Sequence, residues 1–343
     1  MPTDSGDAKA HTQTRTDTDA EPDSPTDLSK PSLLAVVKRA GQQFKEDQLT
    51  DLAAALTYYA VLAIVPGLIV LLSILGLLGQ DTTNQVVGQV EALAPGSAAE
   101  FVKTLITQAQ ANRTGAGFGA ILGLLVALWS ASGYVAAFMR ASNSVYDIGE
   151  GRPIWKTLPV RLGVTVFAVI VLVVSAIIVV VSGPVARQLG DAIGVGDTAV
   201  TVWSIAKWPV LLILISLLLA VLFWASPNAK QGGIKWISPG GVIAVLLWLL
   251  ASAVFAIYVA NFSSYDKTYG SLAGVVIFLV WMWISNIAIL LGLEINAELD
   301  HGKAIEEGVP PDVEPFAVPR DTRKLDDDQR AQAKETEAIR SKD

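Results

Sequence analysis

The chain has 343 residues, of which 52% are hydrophobic and 17% charged, so it departs from an average soluble protein mainly by its loss of charge. Its formal charge of −7 lies in the two ends, −4 in residues 1–30 and −3 in residues 301–343, and therefore indicates no acidic or basic partner for the neutral core. Cys is absent, which excludes disulfides, thiolate catalysis and zinc–cysteine sites.

The chain begins with a polar segment. Residues 1–31 are rich in Thr, Asp, Pro and Ser and are predicted to form a disordered tail, because they cannot bury enough apolar surface to offset the entropy of ordering. Leu34, Val37, Ala40 and Phe44 then recur at helical spacing and predict an amphipathic helix. Two interpretations of this helix stay open: it lies on the cytoplasmic membrane surface, or it is a soluble helix packed on a bundle.

Six apolar stretches follow, each near the length that an α-helix needs to cross about 30 Å of hydrocarbon. They predict an all-α, polytopic integral membrane protein with a six-helix transmembrane domain over residues 32–300. Residues 82–116 are predicted to form an extended outer segment with two short helices. The six stretches are Leu52–Gly79, Gly117–Met139, Leu162–Gly183, Val202–Trp224, Gly241–Ala260 and Ser271–Leu293.

The distribution of Lys and Arg predicts the orientation. With the amino terminus inside, the inner segments hold ten of these residues and the outer segments five. Because basic residues are retained on the cytoplasmic side, both termini are predicted to be cytoplasmic. Residues 301–343 are predicted to be a charged, disordered cytoplasmic tail, with a short helix near its end as the alternative.

The first span carries polar residues and a proline. Asp51, Tyr58 and Tyr59 lie in its opening turns, and Pro66 lies near its middle, where proline removes a backbone hydrogen bond and usually kinks the helix. Kinked or broken helices form substrate sites in transporters. The alternative is a packing kink with two interfacial tyrosines.

A second polar group lies where the second span meets the cytoplasm, at Arg140 and Asn143. The predicted topology puts Asp51, Arg140 and Glu294 at one face, so Arg140 is expected to pair with either carboxylate inside the bundle or beside a wet cavity. The functional interpretation is a gate or a site for an anionic head group. The structural interpretation is an ion pair that ties the first, second and last helices together.

The short connection before the last span is also polar. Tyr265, Asp266, Tyr269 and Gly270 occupy its outer end and are candidates for a substrate path. Gly270 and Gly274 have the spacing of a small-residue face for a neighbouring helix, so helix packing is the alternative.

The last span contains polar residues of its own. Asn286 lies within it, and an amide in hydrocarbon needs a partner, which is either another helix or a substrate. Glu294 lies at the inner helix end, where a long side chain is expected to reach water. Asn296 and Glu298 are expected to cap and solvate the helix exit.

The sequence lacks the residue groupings that enzymes use. His11 lies in the polar tail and His301 stands alone after the last span, and no P-loop, zinc-protease helix or G-x-S-x-G motif occurs. The core also lacks the grouped carboxylates or the basic track that a nuclease needs. We therefore expect no enzymatic activity, no metal, no cofactor and no nucleic-acid partner.

Three segments carry a resemblance to a known family. They are DLAAALTYYAVLAIVPGLIVLLSILG from Asp51 to Gly76, WSASGYVAAFMRASNSVYDI from Trp129 to Ile148, and the closing YGSLAGVVIFLVWMWISNIAILLGLEINAEL. These resemble the YihY/BrkB family of bacterial inner-membrane proteins, the virulence factor BrkB-like proteins once labelled ribonuclease BN. The chain departs from the family pattern at Ala63, where a serine is common, and at Ser142, where a leucine is common.

Together these features predict a transporter, flippase or channel-like protein for an envelope or lipid-type substrate, in the bacterial cytoplasmic membrane. The expected partners are the lipid bilayer and a lipid or anionic envelope substrate, and a homo-oligomer stays open. The alternative is a non-transporting scaffold of the cell envelope, in which the polar residues serve stability alone. An intramembrane enzyme would need a catalytic pair that the sequence does not show.

Overall fold

The computed structural model describes residues 30–77, 118–180, 197–231, 234–261, 273–311 and 313–340. Within these ranges the chain is helical, apart from turns, loops and an isolated antiparallel bridge between Ala229 and Pro319, so the predicted all-α class is confirmed. The helices are α1 (Lys30–Glu46), α2 (Leu49–Leu77), α3 (Phe118–Val145), α4 (Ile154–Val180), α5 (Asp197–Ala225), α6 (Ile234–Asn261), α7 (Ala273–Glu306) and α8 (Asp327–Arg340).

The long helices α2 to α7 pack as a closed ring. Each contacts the next in chain order, and α7 returns to contact α2 and, more lightly, α3. The amphipathic helix α1 packs on α7 and α2, with Val36 and Ala40 buried and Leu34 and Val37 exposed. Its inner face thus packs on the bundle while its outer face leaves apolar side chains uncovered, which combines elements of both interpretations of this helix.

Four of the described helices are long and apolar enough to cross a membrane: Ile154–Val179, Val200–Ala225, Pro239–Val259 and Gly274–Glu306. Within α2, the stretch Leu49–Ile64 is apolar but shorter than these four. The outer surfaces of these helices expose large apolar side chains, which suits contact with lipid. The six-span topology and the cytoplasmic position of the termini stay predictions.

The loops at one end of the ring form a folded layer, which we call the polar end. It comprises residues 46–49, 146–153, 226–231, 307–311 and 313–326. Aromatic side chains lie beneath it, with the Phe138 and Phe223 rings stacked at 6.0 Å and the Tyr146 and Phe316 rings 6.0 Å apart. Much of the apolar core therefore lies toward this end, where the helices converge.

The C-terminal segment differs from the predicted disordered tail. Helix α7 continues to Glu306, where Gly308 in the left-handed conformation (φ 95°) lets the Val309 N–H bond back to the Ala304 carbonyl at 2.9 Å. Phe316 then packs beneath the polar end, followed by α8. The described part of this segment is folded instead of disordered, because its few apolar residues reach a partner surface that the charge pattern does not reveal, and α8 agrees with the alternative of a short helix near its end.

Two predicted regions lie outside the described residues. These are the polar tail before residue 30 and the outer segment 82–116.

Candidate functional site

A buried polar hub joins three helices inside the ring. Asn286 of α7 is 3% exposed, and its Oδ1 accepts a hydrogen bond from the Tyr134 hydroxyl of α3 at 2.9 Å. Its Nδ2 donates to the Thr57 hydroxyl of α2 and to the Met282 carbonyl, each at 3.0 Å. Asn286 was predicted to need a helix or a substrate as its partner, and the structure shows that neighbouring helices supply it.

Arg161 of α4 binds to the middle of α3. Its Nε atom donates to the Ser132 carbonyl at 2.9 Å and to the Ser132 hydroxyl at 2.8 Å. Its guanidinium lies over the Trp129 ring, 4.9 Å from the centroid, and Trp129 is largely exposed. The sequence analysis did not select Arg161, because a single arginine near a helix end gives no sign of what it will contact.

Arg140 does not form the predicted ion pair with Asp51 or Glu294. Its Nη1 donates to the Ala136 carbonyl at 3.1 Å, and its guanidinium lies 5.4 Å from the centroid of the Tyr59 ring. Arg140 is on the exposed face of α3, whereas Glu294 of α7 is buried beneath the polar end. The two therefore share an end of the bundle but not a surface.

Arg140 and Arg161 lie close together, and we call them the arginine pair. They bond to the carbonyls of Ala136 and Ser132, which are four residues, or about 6 Å along the helix axis, apart on α3. The charge of Arg140 acts on Arg161, and among the described residues neither forms an ion pair with an acid. A guanidinium has five N–H donors, so several remain to bind an anion such as a phosphate.

The arginine pair marks a border on the outer surface. Leu125, Val126 and Trp129 of α3 and Val166 of α4 are exposed apolar residues on the side away from the polar end. Arginine and aromatic side chains at such a border match the composition of a membrane interface. The arrangement places anion-binding donors directly beside exposed apolar surface.

Asn143 links the end of α3 to two loops instead of sharing a site with Arg140. It is buried, its Nδ2 donates to Glu150 at 3.0 Å, and its Oδ1 accepts from the Asn228 backbone N–H at 2.7 Å. Because both atoms of its amide form hydrogen bonds with other protein groups, Asn143 positions the loops at the polar end.

The buried Arg152 closes the end of α5, and sequence reasoning missed it. Its guanidinium donates to the carbonyls of Ala225 and Ser226 at 3.3 and 2.7 Å. A cation at this C-terminal end of the helix interacts favourably with the helix dipole. Arg152 also pairs with Glu150 at 2.7 Å. Burial raises the pKa of Glu150, but the Arg152 guanidinium outweighs it and holds the pKa below its usual value.

Asn228 also fastens the C-terminal segment. Its Nδ2 donates to the Asp321 carbonyl at 2.8 Å, and its Oδ1 accepts from the Asp321 N–H at 3.1 Å. The Asp321 carboxylate bonds to Arg323 at 2.6 Å and Lys156 at 2.8 Å, and these two cations hold its pKa well below the usual range. A Cβ on Gly151 would lie 1.8 Å from the Asp321 carbonyl oxygen, so the segment can pass there only over a glycine.

Asn296 helps to join α6 and α7 at close range. Its Oδ1 accepts from the Gly240 N–H at 2.8 Å. A Cβ on Gly240 would lie 2.3 Å from the Gly292 carbonyl, and one on Gly292 would lie 2.5 Å from the Ala244 Cβ. By contrast, a Cβ on Gly274 would meet nothing within 4 Å among the described residues, and Gly270, its predicted partner in a small-residue face, lies outside them.

Glu294 is buried and does not reach water as predicted. It is 1% exposed, because α7 continues for three further turns past it and the polar end covers it. Glu298 is also buried and bonds to Arg39 of α1. The exit of the last span is therefore enclosed by protein.

The remaining predicted residues fall into two groups. Asp51 and Tyr58 are exposed on α2, and α2 continues past Pro66 to Leu77. The Pro66 side chain, and the predicted cluster at the outer connection, lie outside what the structure describes. That cluster is Tyr265, Asp266, Tyr269 and Gly270.

An apolar cavity of about 440 Å³ lies between α6 and α7, away from these polar groups. Phe255, Tyr258 and Ile284 are among the residues that line it. Its lining suits hydrocarbon, and it offers little to orient a polar substrate. In the described parts of the chain, no group of three or more His, Cys, Asp or Glu residues is placed to hold a metal ion.

Comparison with known proteins decides the family. The family model described as Virulence factor BrkB matches residues 40–315, which includes the hub, the arginine pair and most of the polar end. The chain belongs to the Virulence factor BrkB family. With its four apolar helices and relatives named as membrane proteins, this BrkB-family chain is a multi-pass bacterial membrane protein.

Several relatives of this BrkB-family chain are similar over most of its length. A Bacillus subtilis protein named as ribonuclease-like, YfkH, is 31% identical over 75% of this chain and 92% of its own. A UPF0761 membrane protein of Photobacterium profundum is 29% identical over 79% and 82%. One of Ralstonia nicotianae is 27% identical over 78% of this chain but 59% of its own length. No solved structure matches the chain.

Proposed function

We propose that this protein is a transporter, flippase or channel-like protein that moves an envelope or lipid-type substrate with an anionic head group across the bacterial inner membrane. The arginine pair is the observation that carries the proposal. Arg140 and Arg161 contact neutral carbonyls, a hydroxyl and aromatic rings. Their positive charge is thus left for an anion from outside the protein.

The position of the arginine pair favours a lipid-type substrate. It lies at the border between apolar helix surface and the polar end, where a phospholipid places its phosphate. Bidentate guanidinium–phosphate bonds give both affinity and orientation. A water-soluble anion would not need the exposed apolar residues that adjoin the pair.

The polar hub lies on a different side of α3 from the arginine pair. Ser132, which binds Arg161, and Tyr134, which binds Asn286, are two residues apart on α3 and so point to different sides of this helix. In this proposal the arginine pair holds the head group at the border, and the hub keeps α3 packed on α2 and α7. In this proposal the polar end is cytoplasmic, as the distribution of Lys and Arg predicts.

A non-transporting scaffold of the envelope is the second candidate. The interlocked polar end favours it, because Asn143, Arg152 and Asn228 are all used to fix loops in place. The proposal does not include an enzymatic activity; the ribonuclease-like name belongs to the Bacillus relative.

Lipid scrambling and solute flux in proteoliposomes test the proposal. We expect the purified protein to move labelled anionic phospholipid faster than empty liposomes do. The double variant Arg140→Gln/Arg161→Gln should lose at least about tenfold in rate, since tenfold corresponds to about 1.4 kcal/mol and a single charged hydrogen bond already contributes about 1.5–3 kcal/mol. The matched control Lys38→Gln/Lys334→Gln removes two charges from exposed positions and should keep the rate. A folded double variant with the wild-type rate would contradict the proposed site, and no transport of any lipid or solute would favour the scaffold.

A further inference from the structure

Two carboxyl groups face each other where the turn between α1 and α2 meets α7. Glu294 of α7 is 1% exposed, and its Oε2 atom has no hydrogen-bond partner. Asp47 of the turn lies within hydrogen-bonding reach of it, and the Asp47 Oδ2 atom is also buried without a partner. Two ionised carboxylates only accept hydrogen bonds, so this contact needs a proton on one of them.

The surroundings of these two groups are mostly acidic. Arg39 of α1, the nearby base, bonds to Glu298. Within the described residues, neither Asp47 nor Glu294 forms an ion pair with a cation. The titratable and charged groups around them are Arg39 and Glu46 on α1, Glu298 and His301 on α7, Tyr146 and Asp147 after α3, and Glu314 in the C-terminal segment.

Burial and like charges both favour the protonated form at this place. Burial raises the pKa of Asp47 to about 6; the contact with Glu294 acts in the opposite direction, and the charges of Glu314, Glu46 and Glu298 raise the pKa further. Burial also raises the pKa of the neighbouring Asp147 to about 7, and the charge of Asp47 adds to it. A pair of carboxyl groups in such surroundings titrates as a unit, because the first charge opposes the second.

We propose that Asp47 and Glu294 form a proton-binding site that holds one exchangeable proton between the α1–α2 turn and the buried end of α7. The shared proton gives the contact its donor and leaves one negative charge on the pair. Its release places two negative charges together beside Glu298, which weakens the packing of the turn on α7. In a transporter a buried acid of this kind is a place for a coupling proton, but the site does not rest on the proposed transport function.

A rival arrangement uses Arg39. Its Nη2 atom is buried without a hydrogen-bond partner, so the guanidinium is a candidate to turn from Glu298 toward Glu294. Glu294 would then stay ionised at every pH near neutrality. The two arrangements differ in the protonation state of one named side chain, which can be measured.

Infrared difference spectroscopy of the full chain in liposomes distinguishes them. We expect the C=O band of a protonated carboxyl group at low pH and its loss as the pH rises from about 5 to about 9. Glu294→Gln, which mimics the protonated side chain and should fold, lowers the amplitude of this band, and the part that remains belongs to Asp47 and Asp147, whose pKa values are also raised. Asp47→Asn shifts its midpoint down by about one pH unit or more, since a neighbouring negative charge is gone. Glu335→Gln, at an exposed position on α8, leaves it unchanged.

Thermal unfolding against pH provides a second readout. An acid that holds its proton in the folded state makes the protein lose stability as the pH rises through the same range, because the unfolded state has already released the proton. Glu294→Gln should flatten this profile. The proposal is overturned if the wild type shows no titrating band, if a band appears only in Arg39→Gln, or if Glu294→Gln keeps both the full amplitude of the band and the wild-type pH profile. A loss of scrambling alone would bear on the transport function and not on this site.

Discussion

Asn286 shows how a single side chain can join three helices. Its amide joins α2, α3 and α7 through Thr57, Tyr134 and the Met282 carbonyl. A primary amide has two donors and an acceptor, so one side chain can satisfy hydroxyls from two other helices. In a bundle surrounded by lipid, where no water is at hand, these bonds help to set which helices meet.

Replacing this amide tests the hub. Asn286→Ala should lower the free energy of unfolding by about 1–3 kcal/mol, because the Tyr134 and Thr57 hydroxyls are left buried without their partner. The measurement is thermal or denaturant unfolding in detergent. Tyr134→Phe removes one of the two hydroxyls and should cost less. If the double variant Asn286→Ala/Tyr134→Phe lost as much free energy of unfolding as the two single variants together, the hydrogen bond between Asn286 and Tyr134 would contribute nothing to stability.

The sequence predicts individual polar residues better than their partners. Asn286 stands out because a lone amide in an apolar run needs a hydrogen bond, and that expectation is confirmed. Arg140 was assigned the wrong partner, since sharing an end of the bundle does not mean sharing a helix face. Arg152 and Arg161 were not selected, because several of their partners are backbone carbonyls, which the sequence does not identify as partners.

Among the described helices, α6 and α7 make the most extensive contact, and two glycines permit their close approach. Gly240 and Gly292 lie backbone to backbone, with Asn296 bonded across the contact. The sequence analysis looked for small-residue packing at Gly274 instead, because a four-residue spacing is the better known pattern. Isolated glycines on two different helices cannot be matched without the helix positions.

A pair of glycine substitutions tests this contact. Gly292→Ala should destabilise the fold by about 1–3 kcal/mol, since its Cβ would lie 2.5 Å from the Ala244 Cβ and 2.6 Å from the Gly240 carbonyl. Gly163→Ala on α4 is the matched control, because a Cβ there meets nothing within 4 Å. It should be neutral or stabilise by up to about 1 kcal/mol. Equal unfolding temperatures for the two variants would contradict the close packing of α6 on α7.

Across the whole molecule, hydropathy predicts the membrane part but not the layer that closes it. The apolar stretches correspond to long helices, because a spanning helix must be apolar over its whole length. The C-terminal segment was predicted as a solvated tail, since its charges outnumber its apolar residues. Two residues far away in sequence hold its backbone at Asp321. Asn228 forms hydrogen bonds with the Asp321 backbone, and Gly151 leaves room for it to pass.

The attachment of this segment should depend on pH through Asp321. Its folded pKa lies below the unfolded value, so the stability that it contributes is complete above about pH 4 and is lost as the pH falls further. Asp321→Asn should therefore unfold at a lower temperature than wild type at pH 7, and the difference should shrink in acid. Glu335→Gln is the control at an exposed position. A constant difference between Asp321→Asn and wild type at all pH values would show that the charge does not hold the segment.

The central claim is that the arginine pair recognises an anionic head group during translocation. The measurement that tests it most directly is the scrambling rate of an anionic phospholipid relative to a zwitterionic one, in proteoliposomes of the wild type and of Arg140→Gln/Arg161→Gln. We predict that the wild type prefers the anionic lipid and that the double variant loses this preference while it still folds. An unchanged preference in the folded double variant would contradict the claim.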